Sequence, residues 1–111
     1  MSSPSIDIII PNFNKGNFLE ECILSVINQS YSNWKLYIID DNSNDKSREI
    51  LNKYSDNNKI NIVLLKKNKG PSFCRNLGIR ISTSEFIAFL DSDDYWSKDK
   101  LKNQINFMQK E

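Results

Sequence analysis

Four short apolar runs recur along the chain: IDIII (6–10), WKLYIID (34–40), INIVLL (60–65) and EFIAFL (85–90). Each has the length of a strand. They are rich in Ile, Val, Phe and Tyr, whose branched or aromatic side chains fit a pleated surface. The last three are apolar at consecutive positions, which predicts strands covered on both faces. Helical patterns lie between them. Phe18, Leu19, Cys22, Ile23, Val26 and Ile27 form one broad stripe. Asn17 is placed to cap that helix, with Glu20 three residues on as its capping-box partner. Ile50, Leu51 and Tyr54 mark a second helix, entered through NSND, with Asp45 near its start. GPSFCRNLGIRIS reads as a third, with Gly70 at the cap, Pro71 in the first turn and Phe73, Leu77 and Ile81 facing inward. A fourth begins at Ser97 and carries Leu101, Ile105 and Met108. The order is β-α-β-α-β-α-β-α, which predicts an α/β fold of mainly parallel strands with helices on both faces.

With 111 residues the chain has room for one domain and one core. Fifteen basic and fourteen acidic residues leave a net charge of +1, which gives no support for non-specific attraction to nucleic acid or membranes. There is no histidine, so Ser-His-Asp, Cys-His and His-metal chemistry are absent. Two cysteines, Cys22 and Cys74, lie too far apart in sequence for a disulfide framework or a zinc motif. The start MSSPS does not read as a signal peptide, and no stretch approaches the roughly 18–20 apolar residues of a membrane span. The expected location is the cytoplasm.

In an open parallel sheet, ligands bind beyond the carboxyl ends of the strands. The residues there are PNFNKGN (11–17), DDNSND (40–45), KKNKGP (66–71) and DSDD (91–94). One edge would therefore gather Asp40, Asp41, Asp91 and Asp93 with Phe13, Lys15, Lys69, Gly70 and Arg75. Such a mixture of acids, bases and a flat ring suits a nucleotide bound through a metal. FLDSDDYW sharpens the point, because three carboxylates within four residues repel one another and no basic residue stands beside them in sequence. The plain reading is an acidic turn before a helix. The chemical reading is a cation: Asp91 and Asp93 flank one residue, and such oxygen ligands suit Mg²⁺ or Mn²⁺, which keep positions for phosphate oxygens and water. In IIDDNSND, the plain reading is a strand–turn–helix connection in which Asn42, Ser43 and Asp45 cap the helix. The adjacent acids need another reason, and one is suited to accept a bond from a base N–H or a ribose hydroxyl. NKGPSFCRN could hold phosphate at a helix N-terminus, with Arg75 one turn inside.

These stretches together, IIIPNFNKGNFLEECILSVINQSYSNWKLYIIDDNSND, NKGPSFCRNLGI and EFIAFLDSDD, resemble the inverting family-2 glycosyltransferases of GT-A fold. The likeness runs from Ile6 to about Met108. It implies a Rossmann-like nucleotide-binding half. It implies Pro11 and Phe13 lining the base pocket, Phe13 standing where the family often has Tyr and keeping the stacking face without the hydroxyl. It implies Asp41 on the uracil edge or ribose, Asp91 in the ribose or metal region, Asp93 as direct metal ligand and Arg75 holding the nucleotide or its loop. The cofactor implied is Mn²⁺ or Mg²⁺. The partners implied are a nucleotide-diphosphate sugar, UDP-sugar favoured, and a saccharide or lipid-linked acceptor, at the inner face of the membrane. The family's catalytic base lies after this region, so it is expected beyond Glu111 and no catalytic residue is expected in this chain. The expectation is residues 1–111 as a single donor-binding part, truncated before the acceptor-binding part. A truncated sheet could also expose an edge or apolar face and form a homo-oligomer.

Three other readings are weaker. A signalling receiver domain needs an acid pair after the first strand and an Asp after the third, where this chain has PNFN and KKNKG. A glycosidase needs two carboxylates at a set separation across the scissile bond, which acids in one turn do not supply. A non-catalytic nucleotide-binding or interaction module of α/β fold stays open.

Overall fold

The computed structural model describes residues 3–109. Glu111, beyond which the catalytic base is expected, lies outside the described residues. The elements alternate as the sequence predicts: β1 (Ile6–Asn12), α1 (Gly16–Ile27), β2 (Trp34–Asp40), α2 (Ser47–Lys53), β3 (Ile60–Leu64), α3 (Pro71–Ile81), β4 (Phe86–Phe89) and α4 (Lys100–Gln109). The four strands form one parallel sheet in the order β3-β2-β1-β4. The chain steps outward from β1 to β3, then α3 carries it back across the sheet to β4 on the far side of β1. That reversal opens a crevice at the carboxyl ends of β1 and β4.

Side-chain alternation along β1 divides the core. Ile6, Ile8 and Ile10 face α1, α2 and α4 and pack with Leu19, Cys22, Ile23, Leu51, Leu101 and Ile105. Ile9 faces the other way and meets Ile39 and Cys74 under α3. Ile8, Ile9 and Ile10 are all fully buried. Burying one such side chain stabilises by ~1.5–3 kcal/mol, so this stack dominates the fold.

Four sequence expectations change. The strand before DSDD looks the most buried in sequence, but β4 is an edge strand with Ile87 and Phe89 exposed. The interior strands are β1 and β2, and β3 is the other edge, with Leu64 exposed. The reason is topological: α3 packs over β1 and β2 and leaves that face of β4 open. Asn17 does not cap α1, which begins one residue earlier with Lys15 at the N-cap position and no side-chain cap. Asp45 supplies the acceptor instead, taking the Gly16 N–H at 2.8 Å and the Ser47 N–H at 2.9 Å, so one carboxylate serves two helix starts. Glu20 turns away to Tyr54 Oη and Lys53 Nζ on the neighbouring helix segment. Phe73 is exposed, and the inward face of α3 is Cys74 and Gly78 with Leu77 packed beside them as expected. α4 begins at Lys100 and not at Ser97, because Gln29 Oε1 takes the Leu101 N–H at 3.0 Å and fixes the helix start there.

Candidate functional site

Four loops meet at the carboxyl end of the sheet around an open cleft of ≈380 Å³. Pro11, Phe13, Asp41, Arg75, Asp91 and Asp93 all line it. Residues up to 82 positions apart in sequence thus come to one place (11 to 93). Phe13 is 45% exposed, so its ring is available to a planar group.

The loop after β1 is laced to the loop after β2. Asn12 Nδ2 donates to Asp40 Oδ1 at 2.9 Å, and the Asp41 N–H donates to the Asn12 carbonyl at 2.8 Å. The Asn14 N–H reaches Ser43 Oγ at 3.0 Å, and Asn14 Oδ1 accepts the Asn44 N–H at 2.9 Å. Asn14 and Asn42 both take positive φ, a conformation that Asn tolerates through its short polar side chain.

The adjacent acids Asp40 and Asp41 separate in role. Asp40 is fully buried and does not line the cleft. It accepts from Asn12, from the Ser43 amide and hydroxyl, and from Arg48 Nε at 3.4 Å. It is a structural hub, which the sequence edge-count did not distinguish from a ligand group. Asp41 lines the cleft and is only 3% exposed. Its two carboxylate oxygens take the backbone N–H groups of Lys69 (2.7 Å) and Gly70 (2.9 Å). Each oxygen keeps a second lone pair. Asp41 therefore shapes the loop that leads into α3 while still facing the cleft. Gly70 makes that loop feasible: its φ of 92° with ψ of 160° is a conformation open to glycine alone.

Asp91 and Asp93 stand on the turn after β4, closed by the Asp94 N–H donating to the Asp91 carbonyl at 3.0 Å. Asp94 faces elsewhere, accepting the Tyr95 N–H, and does not line the cleft. In sequence the acidic turn has no neighbouring base, but tertiary structure supplies two. Lys15 Nζ is 3.6 Å from Asp93 Oδ2, and Arg75 Nη2 is 3.3 Å from Asp91 Oδ1. The four side chains are 39–63% exposed, so each pair contributes ~0–1 kcal/mol. Beneath the turn, Cys22 Sγ donates to the Asp91 carbonyl at 3.5 Å. Burial pushes the Cys22 thiol up to about 12, aided by the charges of Asp94, Asp93 and Asp91. Burial likewise raises Cys74 to about 11, with Asp41 and Asp40 adding to it.

Among the described residues no three His, Cys, Asp or Glu side chains form a metal-holding group. The pair Asp91 and Asp93 still fits a hard divalent cation. Mg²⁺ or Mn²⁺ takes one or two protein carboxylates and fills its other positions with phosphate oxygens and water. Lys15, Asn12, Asn68, Gly70, Pro71 and Ser92 complete the cleft wall. Sequence reading put Lys15 on this edge without a role and missed Asn12, Asn68 and Ser92. Asn12 was legible in one respect only, as a polar residue ending an apolar strand.

A parallel sheet in this order, with a cleft at the point where the strand order reverses, is the architecture of α/β nucleotide-binding folds. The family model Glycosyl transferase family 2 matches residues 7–111, and the chain belongs to that family. An uncharacterized glycosyltransferase of Haemophilus influenzae is 45% identical over 109 residues, covering 97% of this chain and 44% of that protein. The UDP-Glc:alpha-D-GlcNAc-diphosphoundecaprenol beta-1,3-glucosyltransferase WfgD of Escherichia coli is 38% identical over 105 residues, covering 95% of this chain and 41% of its own length. Among solved structures, S. aureus TarS 1-349 in complex with UDP-GlcNAc superposes with a TM-score of 0.88 at 28% identity, over 96% of this chain and 31% of TarS 1-349. The chain thus spans less than half the length of the relatives it matches. No described helix is long and apolar enough to cross a membrane.

Proposed function

We propose that this chain is the donor-binding part of an inverting, metal-assisted glycosyltransferase acting on a nucleoside-diphosphate sugar, with UDP favoured. One observation carries the reading. Six residues implied by the resemblance, drawn from the end of β1 and its loop, the loops after β2 and β4, and the first turns of α3, line a single cleft in a chain of this family. The relatives' names add the substrate classes: one carries UDP-Glc and a lipid-linked diphosphoundecaprenol acceptor, and one solved neighbour holds UDP-GlcNAc.

The residues divide the work. Phe13 stacks on the base, and Pro11 forms the wall beside it. Asp41, held in place by the Lys69 and Gly70 amides, accepts from the base edge or ribose. Asp91 serves the ribose or the metal, and Asp93 holds the metal. Arg75 supports the nucleotide from α3. A divalent ion bound there supplies positive charge that stabilises the departing diphosphate. The acids on the cleft wall are Asp41, Asp91 and Asp93, among the described residues. All three are committed to donor binding, so the base that deprotonates the acceptor hydroxyl comes from the portion of the relatives that this chain does not span, after the position of Glu111. A polysaccharide or lipid-linked acceptor at the inner membrane face fits this scheme.

That same shortage of a free carboxylate favours a second reading, a nucleotide-binding module without catalysis of its own. Turnover of a nucleotide sugar by the 111-residue chain would exclude it.

Titration of UDP with and without Mn²⁺, using Asp93→Ala as control, tests the main reading. Binding that depends on Mn²⁺ and disappears in the variant is expected. Folded protein that ignores UDP under both conditions would overturn it.

A further inference from the structure

Two ion pairs close off the acidic turn: Lys15 reaches Asp93 from the loop after β1, and Arg75 reaches Asp91 from α3. Both cations line the same cleft as the acids. Neither pair is anchored. The Lys15–Asp93 separation of 3.6 Å exceeds a good hydrogen bond, and the side chains are 47% and 46% exposed. Arg75 meets Asp91 through a single nitrogen, without the two-pronged geometry that makes arginine–carboxylate pairs strong. Contacts this weak are readily exchanged. Resting on the donor-site reading, we propose that Lys15 and Arg75 are internal counter-ions that change partner. Without a ligand they neutralise Asp93 and Asp91. When a divalent cation takes the carboxylates, the two side chains are displaced toward the diphosphate and neutralise it.

The physical reason is charge matching. A dication beside Asp93 repels the Lys15 ammonium, and a flexible four-carbon stem lets that ammonium move several ångströms. A diphosphate brought by the nucleotide offers it new acceptors at the same cleft. Metal and diphosphate then bind cooperatively, because each leaves the other's binding partners free. Lys15 becomes a ligand-binding residue whose two effects have opposite sign. It competes with the metal and it helps the diphosphate. A side chain that only stabilised the loop would affect both ligands in the same direction.

Lys15→Met separates these cases in the 111-residue chain. Mn²⁺ binding without nucleotide is read by water-proton relaxation, and UDP and uridine binding with Mn²⁺ present by calorimetry. Mn²⁺ affinity should rise by about two- to fivefold, the worth of one exposed ion pair. UDP affinity should fall by about tenfold, the worth of one charge-assisted hydrogen bond, while uridine is unchanged. Lys67→Met makes the same change of net charge in a neighbouring loop outside the cleft wall, and should move each value by less than about twofold at ordinary salt. Lys15→Arg should restore UDP binding. Folding is checked by circular dichroism, and Arg75→Met offers the same contrast if Lys15→Met is unfolded. Affinities for Mn²⁺ and UDP that fall together, or that do not move, overturn the exchange while leaving the donor site standing. Wild-type protein that binds neither UDP nor uridine overturns the donor site and the exchange with it.

Discussion

Gly78 lies so close to Ile9 that a Cβ built on it would stand 2.5 Å from Ile9 Cγ2, with Ile9 Cδ1 at 2.7 Å. This contact seats α3 directly on β1 and sets where Gly70 and Arg75 reach the cleft. Ile9 is fully buried between Ile39 and Cys74 and has little room to yield. Gly78→Ala gains up to ~1 kcal/mol of helix propensity. Overpacking of a filled core costs ~1–3 kcal/mol, and here the clash is with a side chain held on all sides. Net destabilisation is expected, read as a lower urea midpoint.

Asp7 ties the opposite end of the sheet. It is fully buried, and it accepts from Ser82 Oγ, the Thr83 and Ser84 amides, and Ser84 Oγ, at 2.6–3.2 Å. Burial disfavours its charge, but the bonds from Ser84, Ser82 and Thr83 outweigh burial and hold its carboxyl below the ordinary 3.8. A carboxyl lowered on folding stabilises fully above its unfolded value. That contribution fades as pH falls below 3.8 and through the lower folded value. Asp7→Asn should cost about 1–3 kcal/mol at neutral pH, because an amide turns donors toward donors. It should also flatten the stability curve below pH 3.8, measured by denaturant titration across acid pH.

Cys22 and Cys74 are both buried free thiols with strongly raised pKa values, about 12 and about 11. Only a thiolate reacts readily with alkylating reagents. Native protein at mildly alkaline pH should therefore remain unmodified by iodoacetamide on mass spectrometry. Urea should expose both sites to rapid labelling. Rapid labelling of folded protein would contradict the packing of both helices.

Phe13 and Asp93 should separate base recognition from metal recognition. Phe13→Ala removes a stacking face worth ~1–3 kcal/mol, so UDP and uridine should both weaken by about tenfold or more. Asp93→Ala should abolish the Mn²⁺ enhancement of UDP binding and leave uridine alone. Calorimetry with both ligands distinguishes the two patterns. Phe13→Tyr should bind at least as well as the wild type, since the ring is retained and exposed at the cleft.

The alternation of elements was legible because each strand and helix announces itself locally, through β-branched runs and the 3.6-residue stripe. Gly70 and Pro71 marked the start of α3 for equally local reasons, a glycine-only φ and a proline that needs no N–H partner. Helix caps were less legible. Asn17 has the right chemistry two residues too late, and the acceptor for Gly16 comes from Asp45, 29 residues away.

Sequence by itself determined the βα order and the strand ends that carry chemistry, which depend on neighbours within a few positions, and the family resemblance pointed to Pro11, Phe13, Asp41, Arg75, Asp91 and Asp93. Tertiary structure alone decided that β3 and β4 are edges and β1 and β2 interior, because strand order follows from where α3 crosses and not from the strands' own hydrophobicity. It made Asp40 a buried hub bonded to Asn12, Ser43 and Arg48, and left Asp41 on the cleft wall. Successive residues at a strand end point in opposite directions, and which direction opens onto the cleft is fixed by the loops packed around it. The sequence put Lys15 and Arg75 on the same edge as the acids, but the structure alone paired Lys15 with Asp93 and Arg75 with Asp91, across 78 and 16 residues of chain.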